Sequence, residues 1–377
     1  MSIGSSSTEG TEQAANDFAA LQVNLPFWTM ALPVLGLLGG ALGLAKFGGV
    51  WTPILAGVLI GSVLAAVHHA EVIAHKVGEP FGTLVLAVAV TVIEVALIVS
   101  LMLSQVANAA TLARDTVVAA IMIILTGMLG ACFLVGGIHH REQRFTREGV
   151  SAGLSTLAAL AVLVLVLPNF TVSEPGAFYS PSQLVFVGIV SLILYLTYVM
   201  VQTVRHQAYF LPAKPTVPDE HVPPPSARLA WAAFAVLLVA LAAVILLAKS
   251  LSPTIEQALI DAGLPLSLMP ILIAGMVLAP EGLAAFRAAR RNQLQTSVNL
   301  AFGSALATIG LTIPTVALVS ILFGLPLMLG VDAKAMTLLA LSLFVAAVGL
   351  SRGRITVLHG TVHLVIFATY LFTTIVP

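Results

Sequence analysis

GEPFGTLVLAVAVTVIEVALIVSLMLS, Gly78 to Ser104, is an apolar stretch long enough to cross a bilayer, and it carries a lone carboxylate, Glu94, in its interior. An ionised Asp at the centre of a membrane helix costs about 2.5–3.5 kcal/mol on insertion scales, and Glu should be similar. A group that costly implies a use. A second stretch, Ser267 to Ala289, holds Glu281 in the run Leu278-Ala279-Pro280-Glu281-Gly282. Glu94 lies fifteen residues beyond Glu79 and Glu281 fourteen beyond Ser267, so the same unusual group recurs at the same depth. That recurrence marks an internal repeat.

Working outward, only 8% of the 377 residues are charged and 59% are hydrophobic, with a mean hydropathy of +1.06. This composition specifies an all-α integral membrane protein, with the lipid bilayer as its surroundings. The formal net charge of +0 leaves no basic face for nucleic acid. The single cysteine, Cys132, falls mid-span, where packing explains it better than redox chemistry. Residues 1–24 are polar and mildly acidic, with no Lys or Arg ahead of the first apolar run, and read as a disordered tail rather than a signal peptide.

Runs able to cross about 30 Å of hydrocarbon fall near 26–46, 49–67, 80–104, 115–138, 149–167, 183–204, 228–249, 267–286, 294–323, 333–350 and 354–375, eleven spans in all. Residues 205–227, RHQAYFLPAKPTVPDEHVPPPSA, form a Pro-rich polar linker. With alternating loops, Lys76, Arg141, Arg144, Arg147, Arg205, Lys214, Arg228, Arg287, Arg290, Arg291, Arg352 and Arg354 share one side, and Lys46, Arg114, Lys249 and Lys334 the other. The positive-inside rule makes the first side cytoplasmic, so the amino terminus is inside and the carboxyl terminus outside. If residues 25–48 form an extra first helix, 49–204 and 228–377 are two five-helix repeats. An odd number of spans inverts the second, which is the plan of secondary transporters with a site at the midplane. The lack of a long regulatory extension suits a bacterial inner membrane, and a homo-oligomer is compatible with everything here.

A charged turn and a span rich in small residues follow each Glu-bearing span: Arg114-Asp115-Thr116 then Leu125 to Ala131, and Arg291-Asn292 then Ser297 to Thr308. Small residues let helices approach. Asn299, Ser304, Thr308, Thr126 and Thr91 could then supply neutral oxygens around a cation held by Glu94 and Glu281, an arrangement suited to calcium. Pro280 has no N–H for the carbonyl of Met276, which frees that oxygen to coordinate. Interhelical hydrogen bonding is the rival reading of Asn299 and Ser304. Glu71, His75 and Glu79 stand at the cytoplasmic mouth, where solvation explains them as well as cation capture does. His359 and His363, four apart on the last span, share a face that could bind metal or relay protons, although packing accounts for them better. His68-His69 and His139-His140 lie at cytoplasmic ends.

GEPFGTLVLAVAVTVIEVALI and LAPEGLAAFRAARRNQLQTSVNLAFGSALATIGLTIP resemble the two alpha-repeats of the calcium/cation antiporter superfamily, most closely its ChaA-type calcium/proton, sodium/proton branch. The resemblance implies cation efflux driven by proton influx, with Glu94 and Glu281 as shared cation and proton ligands. Two features depart from it. Thr126 stands where relatives often carry Asn, and the acidic segment between the halves is reduced to Asp219, Glu220 and His221.

Burial disfavours the charged form of a carboxyl group and a bound cation favours it. Each glutamate can therefore hold a proton or share the metal charge, but not both. Two carboxylates match one Ca2+ or two protons; for Na+ or K+ the pair would exchange one ion for one proton. The ions are cargo, and no resident cofactor is implied. A ZIP-like metal transporter would share the Pro280-Glu281-Gly282 turn but has His where this chain has Val277. An intramembrane hydrolase would need HExxH or paired Asp within spans; there is no HExxH and the spans as drawn hold no interior Asp, so the reading is not an enzyme.

Overall fold

A backbone in hydrocarbon must satisfy its own polar groups, so apolar runs of this length become helices. The computed structural model describes residues 25–78, 81–103, 109–211 and 224–376. The tail 1–24, Glu79, Lys214, and Asp219, Glu220 and His221 of the linker lie outside the described residues. Eleven helices follow in order: α1 Phe27–Ala41, α2 Trp51–Val77, α3 Phe81–Leu103, α4 Ala109–His140, α5 Arg147–Phe170, α6 Pro181–Arg205, α7 Ala227–Asp261, α8 Leu268–Arg290, α9 Leu294–Phe323, α10 Ala333–Leu350 and α11 Val357–Ile375.

Local chemistry sets several boundaries. Ser180 and Gln183 form a capping box ahead of Pro181 at the start of α6. Asp332 caps α10 by accepting from the Ala335 N–H at 2.7 Å. Thr356 and His359 open α11 in the same reciprocal way, the Thr356 N–H donating to His359 Nδ1 at 3.1 Å. His359 is thus occupied as a cap.

Several helices outrun their apolar spans. α2 continues to Val77, ten residues past the expected 67, and α7 to Asp261, twelve past 249. Lys249, expected in a loop, therefore stands on a helix with Glu256 and Asp261, and Arg114 and Asp115 occupy the second turn of α4. Hydropathy marks the part that crosses hydrocarbon, whereas the helix continues into the interface, where polar ends are solvated. α1 is shorter than the expected 25–48, ending at Ala41 before a 3-10 turn at Leu44–Phe47.

Contacts between loops agree with alternating crossings from α5 to α10. The α4–α5 and α10–α11 loops pair as a short antiparallel ladder, Gln143 opposite Ile355 and Arg144 opposite Arg354. On the other face, Phe178 bridges Met328 and Arg114 donates to the Gly330 carbonyl at 2.7 Å. An extra or missing span between these loops would put the partners on opposite faces.

The interior divides into two hydrophobic clusters. One is built on α2 and α7 with Ala45 of the turn after α1, and abuts Val90, Ile93 and Leu97 of α3 and Val277 of α8. The other joins α4, α5, α6, α9, α10 and α11 with the opposite flanks of α3 and α8. α1 reaches α7 through Gly36, where a Cβ would lie 2.9 Å from Leu247. In the second cluster α11 seats on α4 at Gly360, whose added Cβ would fall 2.3 Å from the Leu134 backbone nitrogen. The helices that carry the two glutamates stand at the seam.

Candidate functional site

Glu94 lies thirteen residues after Phe81, the first residue of α3, and Glu281 thirteen after Leu268, the first of α8. The following helices match as well: a π-helical turn begins at Ile123, fourteen residues after Ala109, and another at Thr308, fourteen after Leu294. π-turns widen a helix and often mark functional positions. In α9 the turn ends just before Pro314, which has no N–H to give the preceding turn.

Both carboxylates are buried, Glu94 at 4% exposure and Glu281 at 9%. The Ser304 hydroxyl donates to Glu281 Oε2. One turn further along α9, Thr308 Oγ1 donates to Glu94 Oε2 at 2.9 Å. A single helix of the second repeat thus holds both glutamates, its own repeat's and the other's. The two donors, four residues apart, set the carboxylates beside adjacent turns of α9. Among the described residues, Glu94 Oε1 and the hydroxyl of Thr312, which lies near the same carboxylate, are buried with no hydrogen bond of good geometry. Unpaired buried oxygens are costly; a carboxylate oxygen with a hydroxyl near it offers acceptors suited to a proton or a bare cation. Pro280, one residue before Glu281, removes the donor that the Met276 carbonyl would otherwise meet.

The sequence profile described as "Sodium/calcium exchanger protein" matches residues 49–204 and 232–376. The chain belongs to this exchanger family. As a whole the exchanger is 45% identical over 360 residues to the y4hA protein of Sinorhizobium fredii, covering 94% of this chain and 97% of the relative. It is 36% identical over 356 residues to the sodium-potassium/proton antiporter ChaA of Escherichia coli, covering 93% and 96% respectively. A solved H+/Ca2+ exchanger, CAX, shares the fold at a TM-score of 0.70, with 93% of this chain and 89% of that chain covered at 17% identity. The exchanger is therefore a multi-pass membrane transporter.

The residues singled out from the exchanger's sequence fall into four groups. Glu94, Glu281, Ser304 and Thr308 come together as described. Thr91 and Thr126 are buried, but each hydroxyl donates one turn back along its own helix, Thr91 to the Ala87 carbonyl at 2.8 Å and Thr126 to the Met122 carbonyl, which leaves only their lone pairs for a ligand. Asn299 is engaged elsewhere: its Nδ2 donates to the Phe210 carbonyl at 2.5 Å and its Oδ1 accepts from Gln295 at 2.9 Å, tying α9 to the segment after α6. Glu71 and His75 are exposed near the end of α2.

His363 and His359 do not converge. His363 Nδ1 contacts the Leu125 carbonyl at 2.6 Å inside the α4 π-turn, while His359 caps α11. The small residues of α4 serve the same seat, since a Cβ at Gly127 or Gly130 would meet Phe367 or Leu364 of α11. Thr312 was missed in the sequence, although Thr308-Ile309-Gly310-Leu311-Thr312 sets two hydroxyls four apart just after Ser304. Helical spacing could have found it.

Proposed function

We propose that this exchanger couples the export of a cation, most favourably Ca2+, to proton influx across a bacterial inner membrane, with its amino terminus in the cytoplasm. The observation that carries the reading is the pair of buried glutamates held by Ser304 and Thr308 on adjacent turns of α9. Two carboxylates in a desolvated site cannot both stay charged without a partner. They take up protons, or they share a cation with nearby hydroxyl and carbonyl oxygens; one loading excludes the other, and that exclusion is the coupling. A dication answers two carboxylates in charge and accepts a flexible set of oxygens. Alternation follows from the seam: α1, α2 and α7 shift together against the rest and open the site to one face at a time.

A second reading is favoured by the 36% identity to a sodium-potassium/proton antiporter over nearly the whole chain. In that case one glutamate keeps its proton while the other trades a proton for Na+ or K+. Proton flux in everted vesicles, followed with a pH-sensitive dye while Ca2+, Na+ and K+ are offered in turn, distinguishes the two. Flux with no cation would end both.

A further inference from the structure

A groove of about 530 Å³ runs down the outside of the bundle between α5 and α10, away from the exchange site. Its open end is polar, with Arg147, Glu148 and Ser151 on α5 and Ser351 just past α10; its depth is apolar, with Leu154, Ala158, Leu343 and Ala347, apart from Ser155, whose hydroxyl is turned back to the Ala152 carbonyl. From Arg147 to Ala158 is eleven residues, about 16 Å of helix, or half of the ~30 Å hydrocarbon core. The lining therefore changes from polar to apolar over the depth of one leaflet, on the face that carries the arginine-rich loops.

Charge at the mouth selects among lipids. Arg144 and Arg354 both approach Glu142, at 3.3 and 3.6 Å, whereas among the described residues Arg147 and Arg352 form no ion pair. Against Glu142 and Glu148 the four arginines leave a net positive mouth. The backbone aims one of them: Gly353 has a positive φ of 69°, and a Cβ there would lie 2.7 Å from Arg147 Cγ, so the Arg147 stem lies over the turn that also carries Ser351 and Arg352. Basic pockets between membrane helices bind anionic headgroups, each cation near the surface adding to the affinity.

We infer that this groove is a binding site for an anionic phospholipid, its phosphate between Arg147 and Arg352 and one acyl chain along Leu154, Ala158, Leu343 and Ala347. Native mass spectrometry of the purified full chain, titrated with phosphatidylglycerol or with phosphatidylcholine of the same acyl chains, tests it. The parent should retain phosphatidylglycerol in preference. The double variant Arg147→Gln, Arg352→Gln should lose about tenfold or more of that affinity, while Arg228→Gln, an exposed arginine elsewhere, should lose none. Ala347→Phe, at an exposed position, fills the groove without crowding the core and should weaken retention with every arginine intact. Equal retention of the two lipids, an equal loss with Arg228→Gln, or a change of oligomeric mass with Ala347→Phe in place of lipid loss would each overturn the assignment, the last by giving the groove to a second copy of the chain.

Discussion

Thr308, in the second repeat, donates its hydroxyl at 2.9 Å to Glu94, in the first. The bond joins the halves of the molecule at the group most costly to bury, and it lies one turn from the corresponding bond of Ser304 to Glu281. One helix, α9, thus holds both carboxylates.

Deleting that donor should weaken cation binding without unfolding the protein. A hydrogen bond to a charged group contributes about 1.5–3 kcal/mol, so Thr308→Val should raise the half-saturating cation concentration roughly tenfold or more, and Thr308→Ser should restore it. Flux titrations of the three proteins check this. Parent-like saturation in Thr308→Val would remove Thr308 from the site.

Neutralising either carboxylate should abolish exchange. Glu94→Gln and Glu281→Gln keep the shape but cannot trade a proton for a metal. Both should purify as folded, monodisperse protein with no dye response to Ca2+, Na+ or K+. A purified variant that exchanged near the parent rate would refute the two-carboxylate mechanism.

The cargo has a pH signature. Exchange of Na+ requires one glutamate to stay protonated, so it should decline as pH rises and that proton is lost. Ca2+ uses both carboxylates in the charged form, so its exchange should persist or rise until protons become limiting. Added Ca2+ should compete with Na+. Na+ flux that exceeds Ca2+ flux at alkaline pH and ignores added Ca2+ would transfer the assignment to the monovalent cation.

Orientation can be read by labelling. The basic-rich face carries exposed Arg144 and exposed Ser226. With Cys132 replaced, a cysteine at either position should resist a membrane-impermeant maleimide in intact cells and react in everted vesicles. Reaction in intact cells would invert the topology.

The α4–α11 seat should govern stability. Gly360→Ala places a methyl group 2.3 Å from the Leu134 backbone nitrogen, whereas a Cβ at Gly57 meets nothing within 4 Å. Overpacking of this kind costs about 1–3 kcal/mol. Gly360→Ala should lower the melting temperature in detergent and Gly57→Ala should not; equal melting of the two would show that the contact relaxes freely.

What could be read in advance divides along physical lines. Eleven helices were legible because hydrocarbon demands about twenty apolar residues per crossing, and Glu94 and Glu281 because no packing rule puts carboxylates there. Helix ends such as Ala227–Asp261 were not, since interfacial turns carry the polar residues that otherwise mark loops. Ser304 and Thr308 were visible as oxygens, but their division between the two glutamates depends on how α9 crosses α3 and α8. Asn299 looked equivalent to them and is bound instead to the Phe210 carbonyl, a partner 89 residues away that no local spacing signals. The glycines of α4 were legible as a place where helices approach, but not that the helix they admit is α11.

The matched offsets of the two repeats conceal an imbalance. Fourteen residues into α9 stands Thr308 and ten residues in stands Ser304; the same offsets in α4 bring Ile123 and Ala119, which have no hydroxyl. The backbone is repeated, but the donors are not. If the halves trade conformations as proposed above, both hydroxyls travel with the second repeat and none with the first. Half-saturating cation concentrations measured from the two faces of the membrane should then be unequal.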